Sequence, residues 1–407
     1  MSLDRPAGRP RAAARVLDDP VTVSRTERRG LLCAFAAFGT FWGAWAAVLP
    51  DIRDQTGLSD GRLGLALGAV AVAALPAMPL AGRLMDRHGA SRLLPRALLV
   101  FAVVTVLPAF ATGLLTLVLA LLLLGATTGA LDVFVNTATA AWERLETQRL
   151  MAAAHGCFSL GVLVASVATG VARDLGASPL AVLGATAVTV AAVGLTQPAY
   201  RRAAGQAGPA TGRRLRLAPV LLLLGLLTAG SFLVEDAVQS WSALHLERSL
   251  GAPPWVGGLG PGLFAGAMAA GRFGVHLLAR PSHDALVVGL GAGGLTGGIL
   301  LLALAPSPAP ALAGVTLAGA GVSVLAPTLF SAVGARSAPG RQGADLALVT
   351  ALGYVGFVTG PPVVGLLSSL TSLPTALALL AVLTAAVAVV GPLSLRSVPE
   401  RATAPDG

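Results

Sequence analysis

Long apolar stretches alternate with short polar intervals along almost the whole chain, and this pattern predicts a protein built from membrane-spanning helices. An α-helix needs about 20 mostly apolar residues to cross the hydrocarbon core of a bilayer. Twelve segments meet that requirement: 30–50, 61–82, 93–112, 115–141, 151–172, 179–196, 217–245, 254–279, 285–305, 309–334, 343–368 and 373–395. The predicted fold class is therefore all-α integral membrane, with twelve transmembrane helices.

A polar segment rich in arginine, glycine and alanine divides these spans into two groups of six. We expect a disordered cytoplasmic tail over 1–29, six-helix bundles over 30–196 and 217–395, a cytoplasmic linker over 197–216, and a cytoplasmic tail over 396–407. Ala81-Gly82-Arg83 ends the second span and Ala270-Gly271-Arg272 ends the eighth. The two groups therefore look like internal repeats.

The arginines predict the orientation, because cytoplasmic loops carry an excess of basic residues. With both termini inside, only Arg53, Arg62, Arg173 and Arg248 of the 28 basic residues fall on the outer side. Arg272 counts among the cytoplasmic ones in this assignment. The asymmetry favours cytoplasmic termini.

Composition supports the same class and excludes several others. Hydrophobic residues make up 55% of the chain and charged residues 12%, with a mean hydropathy of +0.78. The formal net charge of +9 does not indicate nucleic-acid binding, because no basic face interleaved with aromatic residues is present. Cys33 and Cys157 lie in apolar spans, so no disulfide framework is expected. No phosphate loop, nucleophile elbow or metal-spaced His/Cys cluster occurs, so we expect no enzyme activity, cofactor or metal.

Three carboxylic acids stand inside predicted spans, where an ionisable side chain is costly and usually functional. Asp132 lies in the fourth span, on one helical face with Asn136, while Glu235 and Asp236 lie in the seventh. The alternative for each acid is helix packing through hydrogen bonds. Adjacent residues point about 100° apart on a helix, so we expect only one of Glu235 and Asp236 to face a cavity.

The segment Gly82–Arg92, predicted to be a short loop, resembles the signature of the major facilitator superfamily. That signature reads roughly G-x-L-x-D-R-x-G-x-R and joins the second and third helices; Arg92 comes one residue late here. The matching residues are Gly82, Arg83, Asp86, Arg87, Gly89 and Arg92. We expect Asp86 to cap a helix end and Gly89 to form a tight turn.

The resemblance implies parallel repeats around a central cavity lined by helices one, four, seven and ten. Asp132 falls on helix four and Glu235 on helix seven. Candidate cavity residues are Trp42, Trp45, Asn136, Gln239, Trp241, Ser323 and Tyr354. Helix packing is the alternative for the tryptophans, and His155 is expected to pack at an interface. Short stretches such as Leu131–Asn136 also resemble a bacterial branch near the fucose permeases.

Glycines and prolines in the eleventh span predict close helix packing. Gly356 and Gly360 are four residues apart, a spacing that permits close helix approach, and Pro361 bends the helix.

The sequence thus predicts a secondary active transporter in a bacterial inner membrane, acting as a monomer on a small organic solute. Asp132 and one of Glu235 and Asp236 are the predicted proton-coupling sites. Scarce charge in the predicted cavity disfavours strongly ionic substrates. Metabolite or drug export and uptake of a sugar-like solute both remain open. The alternative class is a non-transporting membrane sensor.

Overall fold

The computed structural model of this protein describes residues 20–201, 219–278, 283–337 and 341–396, and these residues are all-helical. Numbered in chain order, the helices are α1 Pro20–Thr56, α2 Asp60–His88, α3 Ala90–Val104, α4 Leu114–Glu146, α5 Met151–Asp174, α6 Pro179–Leu195, α7 Pro219–Leu244, α8 Pro254–Leu278, α9 Asp284–Leu304, α10 Pro308–Arg336, α11 Gln342–Leu370 and α12 Leu373–Arg396. Ten of the helices in this part of the chain are long and apolar enough to cross a membrane; α6, with 17 residues, and α8 fall outside that set.

Two predicted spans are interrupted helices. The third span is α3 followed by a 3₁₀ turn at Leu107–Phe110, and α10 breaks between Val322 and Leu325. At each break a side-chain hydroxyl donates to the carbonyl three residues earlier in the chain. Thr105 Oγ1 donates to the Ala102 carbonyl, and Ser323 Oγ donates to the Ala320 carbonyl. Such bonds compete with the helical ladder and bend it.

The predicted N-terminal tail needs a correction, because α1 begins at Pro20 and residues 20–29 are helical. Glu27 in this stretch is buried, and the Trp142 indole donates to the Ser24 carbonyl at 3.2 Å. Contacts with the rest of the fold thus order residues that are polar by sequence. Residues 1–19 of the predicted tail, 202–216 of the predicted linker and 397–407 lie outside the described residues.

Local sequence signals set the short connections. Ser178 caps α6 by accepting a hydrogen bond from the Ala181 amide at 3.3 Å, and Pro179 occupies the first helical turn. Gly89, with φ 77°, is the single residue between α2 and α3. We call the side of the protein where this turn lies the Gly89 end, and the opposite side the Arg173 end.

The helices pack in a pattern that recurs along the chain. In the first half, α1–α6, the pairs α1–α5, α2–α4 and α3–α6 are in contact; in the second half, α7–α12, the corresponding pairs are α7–α11, α8–α10 and α9–α12. Each second-half pair lies six helices after its first-half counterpart. The halves meet where α2 packs on α11 and α5 packs on α8.

Paired glycines mark both contacts between the halves. A Cβ placed on Gly64 of α2 would come 2.9 Å from the Gly365 Cα of α11, and one on Gly170 of α5 would come 3.0 Å from the Gly258 Cα of α8. The backbones therefore touch at these two crossings, both of which lie near the Arg173 end.

We expect Gly360→Ala to destabilise the protein, because its Cβ would meet the Leu233 carbonyl oxygen of α7 at 2.6 Å. Overpacking of this kind costs about 1–3 kcal/mol. Thermal unfolding of the purified protein in detergent should show a lower melting temperature. Gly184→Ala in α6 is the control, since nothing lies within 4 Å of its Cβ position; an equal loss in both variants would contradict the packing argument.

Candidate functional site

Asp132 connects the two halves through a small group of polar side chains. The Asn136 amide donates to Asp132 Oδ1 at 3.0 Å and to the Asp132 carbonyl at 2.9 Å, so the two α4 residues form one unit. The Tyr354 hydroxyl of α11, in the second half, lies close to the same carboxylate. All three residues are half-buried. The structure thus brings together three residues that the sequence assigned to coupling and to the cavity.

The two adjacent acids of α7 point toward different neighbours. Glu235 Oε1 lies 3.7 Å from Nη2 of Arg272 on α8. Asp236 follows Phe232 by one turn, and Phe232 stacks on Phe357 of α11 with 4.4 Å between ring centroids. Both acids are half-buried, and Asp236 lies within electrostatic range of Glu235. One acid therefore faces α8 and the other lies on the α11 side.

Arg272, which the sequence assigns to the cytoplasmic side, contacts a neighbouring helix in the structure. It lies within α8, next to Glu235, and His155 of α5 is within electrostatic range of it. His155 also packs edge-on against Phe35 of α1, with ring centroids 5.1 Å apart. The predicted span 254–279 includes Arg272, but the hydropathy pattern does not indicate its partner Glu235.

The predicted cavity residues divide into half-buried and buried groups. Trp42, Gln239, Asn136 and Tyr354 are half-buried. Trp45, Trp241 and Ser323 have 3%, 0% and 1% of their surface exposed. These three side chains pack between helices in this structure, so their cavity role stays a prediction.

The signature segment is helix and turn rather than a loop. α2 continues to His88, so Gly82, Arg83, Asp86 and Arg87 are helical, and Arg92 lies in the first turn of α3. Gly89 forms the tight turn expected of it. Asp86 does not cap α3, because the cap residue is Gly89 and no side chain bonds there. The Asp86 side chain is exposed instead.

Asp86→Ala is expected to lower transport rate while leaving substrate affinity within a few-fold. The carboxylate makes no hydrogen bond or ion pair within the described residues here, so its partner would form in another conformation of the cycle. Initial rates and half-saturation concentrations in proteoliposomes measure both quantities. Unchanged turnover, or a loss confined to affinity, would contradict this role.

Polar contacts missed by sequence reasoning hold the Gly89 end of the first half together. The Glu27 carboxylate binds the Arg201 guanidinium at 2.8 Å, and Arg201 also pairs with Glu146 of α4. The hydrogen bond that Arg201 donates to the Glu27 carboxylate raises the pKa of Arg201, so this arginine stays charged. Ser91 of α3 donates to the Tyr200 carbonyl at 2.8 Å. These contacts tie the segment after α6 to α1, α3 and α4.

A second missed cluster closes the Arg173 end between the halves. The Arg173 guanidinium, 2% exposed, donates to Asp51 of α1 at 2.5 and 2.7 Å, to Glu247 after α7 at 2.7 and 2.9 Å, and to the Ala47 carbonyl at 2.7 Å. All five N–H donors of the side chain are thus used. The signal was available, since acids follow the first and seventh spans on the side where the sequence placed Arg173.

Further contacts cross between the halves at the same end. Asp54 binds Arg248 at 2.5 Å, and Ser368 of α11 donates to Asp60 of α2 at 2.6 Å. Ser166 of α5 donates to the Gly258 carbonyl of α8 at 2.6 Å. The Arg173 end is therefore shut by ion pairs, hydrogen bonds and the glycine crossings together.

Comparisons with known proteins give matches over most of the chain. The sequence model of the Major Facilitator Superfamily matches residues 30–312. An uncharacterised transporter of the same type from Yersinia pestis is 30% identical over 367 residues, which cover 87% of this chain and 92% of that protein. The membrane protein MosC of Rhizobium meliloti is 29% identical over 347 residues, 83% of each chain.

Solved structures share the fold. The crystal structure of the nucleoside transporter NupG superposes with a TM-score of 0.73 at 12% identity, covering 91% of this chain and 99% of that one. A bacterial homologue of the human lysosomal transporter Spinster, inward-facing and unoccupied, gives 0.72 at 15% identity, covering 92% and 97%. At such identities the likeness concerns the fold alone. The comparisons do not support the narrower resemblance to the fucose permeases.

Proposed function

We propose, from the premise that this chain belongs to the major facilitator superfamily, that it is a secondary active transporter of a small organic solute. It moves the solute by alternating access, with the two halves of the chain rocking about a site near the middle of the membrane. Protons supply the energy. Uptake and export would use the same site, and the solute gradient and coupling decide between them.

The proposed architecture is twelve transmembrane helices in two pseudo-symmetric bundles, 30–196 and 217–395. The recurrence of the same helix pairs six helices later supports it, as does the short apolar helix α6. The basic residues near the Gly89 end support cytoplasmic termini in a bacterial inner membrane. The protein would work as a monomer in the bilayer, with the solute and protons as its partners.

The observation that carries the proposal is the contact of Asp132 with Tyr354. A carboxylate on α4 and a hydroxyl on α11 meet where the halves face each other, within helices long enough to span a bilayer. A carboxylate there is costly when charged, so binding and release of a proton change the contact between the halves. Asp132 is the proposed main coupling site, with Glu235 or Asp236 as the second.

Transport can be tested with the purified protein in proteoliposomes containing a pH-sensitive dye. Nucleosides, polyols, amines, carboxylates and amino acids are added singly, with and without an imposed pH gradient. We expect at least one solute to accumulate with the gradient and to move protons when added alone. A solute that is transported without any response to the gradient would contradict proton coupling, and the absence of transport for every solute would contradict the transporter proposal.

A further inference from the structure

We infer that Arg272 and the acids of α7 form a binding site for an organic zwitterion, a solute that carries both a carboxylate and a protonated amine. Arg272 would bind the carboxylate, while Glu235 and Asp236 would bind the amine. This inference rests on the proposed function and deepens it by naming the class of substrate.

The depth of Arg272 in its helix is the first observation. It follows the start of α8 by 18 residues (272 − 254), whereas Arg83 of the repeated Ala-Gly-Arg sequence follows the start of α2 by 23 (83 − 60). At 1.5 Å per residue, Arg272 therefore lies about 7–8 Å closer to the start of its helix than its counterpart, and six more residues of α8 follow it. Arg83 is exposed at the Gly89 end, while Arg272 faces Glu235.

Unused hydrogen-bond donors are the second observation. A guanidinium has five N–H donors. Within the described residues, the contacts of Arg272 are Glu235 at 3.7 Å, too long for a direct hydrogen bond, and the Met268 sulfur at 3.2 Å, a weak acceptor. Arg173, by contrast, uses all five donors on protein oxygens. One arginine is a structural contact, and the other is left with donors for a ligand.

The surroundings leave room for that ligand. The Arg272 side chain is 34% exposed and that of Glu235 is 15% exposed, so the pair borders open space. The wall behind it is closed, because Gly271 packs directly against Ser323 of α10. His155 of the first half lies within electrostatic range of Arg272, so the pair lies near the other half of the chain.

Charge decides the class of ligand. A planar guanidinium fork binds a carboxylate through two parallel hydrogen bonds. A solute with only a carboxylate would be repelled by the like charge of Glu235. A solute with only an amine would leave the N–H donors of Arg272 without acceptors. A zwitterion satisfies both sides, because its amine binds Glu235 or Asp236, and Asp236 has no cationic partner within the described residues. This proposal departs from the expectation that the cavity disfavours strongly ionic substrates.

Thermal stabilisation of the purified full-length protein in detergent tests the inference. The probes are the twenty L-amino acids. For each amino acid that binds, two analogues are also tested: the amine without the carboxylate, and the acid without the amine. We expect at least one amino acid to raise the melting temperature, and both truncated analogues to bind at least about tenfold more weakly. Arg272→Gln should weaken the amino acid by a similar factor and leave the amine unchanged.

Arg83→Gln is the matched control and should bind the amino acid like the wild type. The inference is overturned if none of the amino acids stabilises the protein, or if Arg272→Gln weakens the amine as much as the zwitterion. Proteoliposome transport separates the two proposals. If the pH gradient drives transport of an uncharged solute, and Arg272→Gln leaves that transport intact, the zwitterion site is refuted while the proposed function stands. If the wild type transports no solute at all, both proposals are refuted.

Discussion

Asp132→Asn should abolish accumulation of solute driven by a pH gradient, while exchange of solute across the membrane without a gradient should survive. Asparagine keeps an oxygen that can accept from Asn136 at the position of Asp132 Oδ1, but it cannot take up or release a proton. A charged group at mid-membrane costs about 2.5–3.5 kcal/mol on insertion scales, so the acid must have a partner or a use. The described partners, Asn136 and Tyr354, are uncharged.

Accumulation and counterflow in the same proteoliposomes give the two readouts. Asp174→Asn is the control, because Asp174 is an exposed carboxylate at the Arg173 end. If Asp132→Asn concentrates solute as the wild type does, Asp132 is a packing residue and Glu235→Gln becomes the next variant. If exchange is also lost, the residue is needed for binding or folding rather than for coupling.

Arg173→Gln should open the Arg173 end and slow transport by at least about tenfold. Removing one partner of a buried ion pair costs about 3–5 kcal/mol, because the remaining charge is buried alone. Glu247 bears most of this effect, since Asp51 is 32% exposed and partly solvated. The ion pairs stabilise only the conformation in which the halves touch at the Arg173 end. Their loss therefore lowers the population of that conformation.

Spin labels at Leu175 and Leu370 can report the opening. Both positions are exposed, and they follow α5 of the first half and end α11 of the second. With Cys33 and Cys157 replaced by serine, pulsed dipolar spectroscopy should show a longer distance in Arg173→Gln than in the parent. Arg62→Gln removes an exposed arginine at the same end and should leave the distance unchanged. Identical distance distributions in all three proteins would contradict this role of Arg173.

The positions of the helices could be predicted from the sequence because hydropathy acts along the chain. The predicted span 373–395 is helix Leu373–Arg396, and 179–196 is Pro179–Leu195. Errors arose where tertiary contacts outweigh local composition. Residues 20–29 look like a polar tail, yet the pairing of buried Glu27 with Arg201 holds them in α1.

The candidate site was only partly predictable. Asp132 and Asn136 could be grouped because they share a helical face, and their hydrogen bond follows from that spacing. The sequence places Arg173, Asp51 and Glu247 on one side of the membrane, but it does not show that they meet. Nothing in it groups Arg272 with Glu235 either, because each cluster depends on how separate helices pack. A hydropathy pattern carries no information about which helix lies beside which.

The glycine crossings divide the helices that form them into a short part and a long part. Gly64 lies four residues from the start of α2 and 24 from its end (88 − 64), so the arms on either side of the crossing are about 6 and 36 Å long. While the crossings hold, a small rotation about the line joining them moves the Gly89 end about six times as far as the Arg173 end. Opening the Gly89 end thus needs little rearrangement at the crossings, whereas opening the Arg173 end requires the glycine contacts themselves to separate.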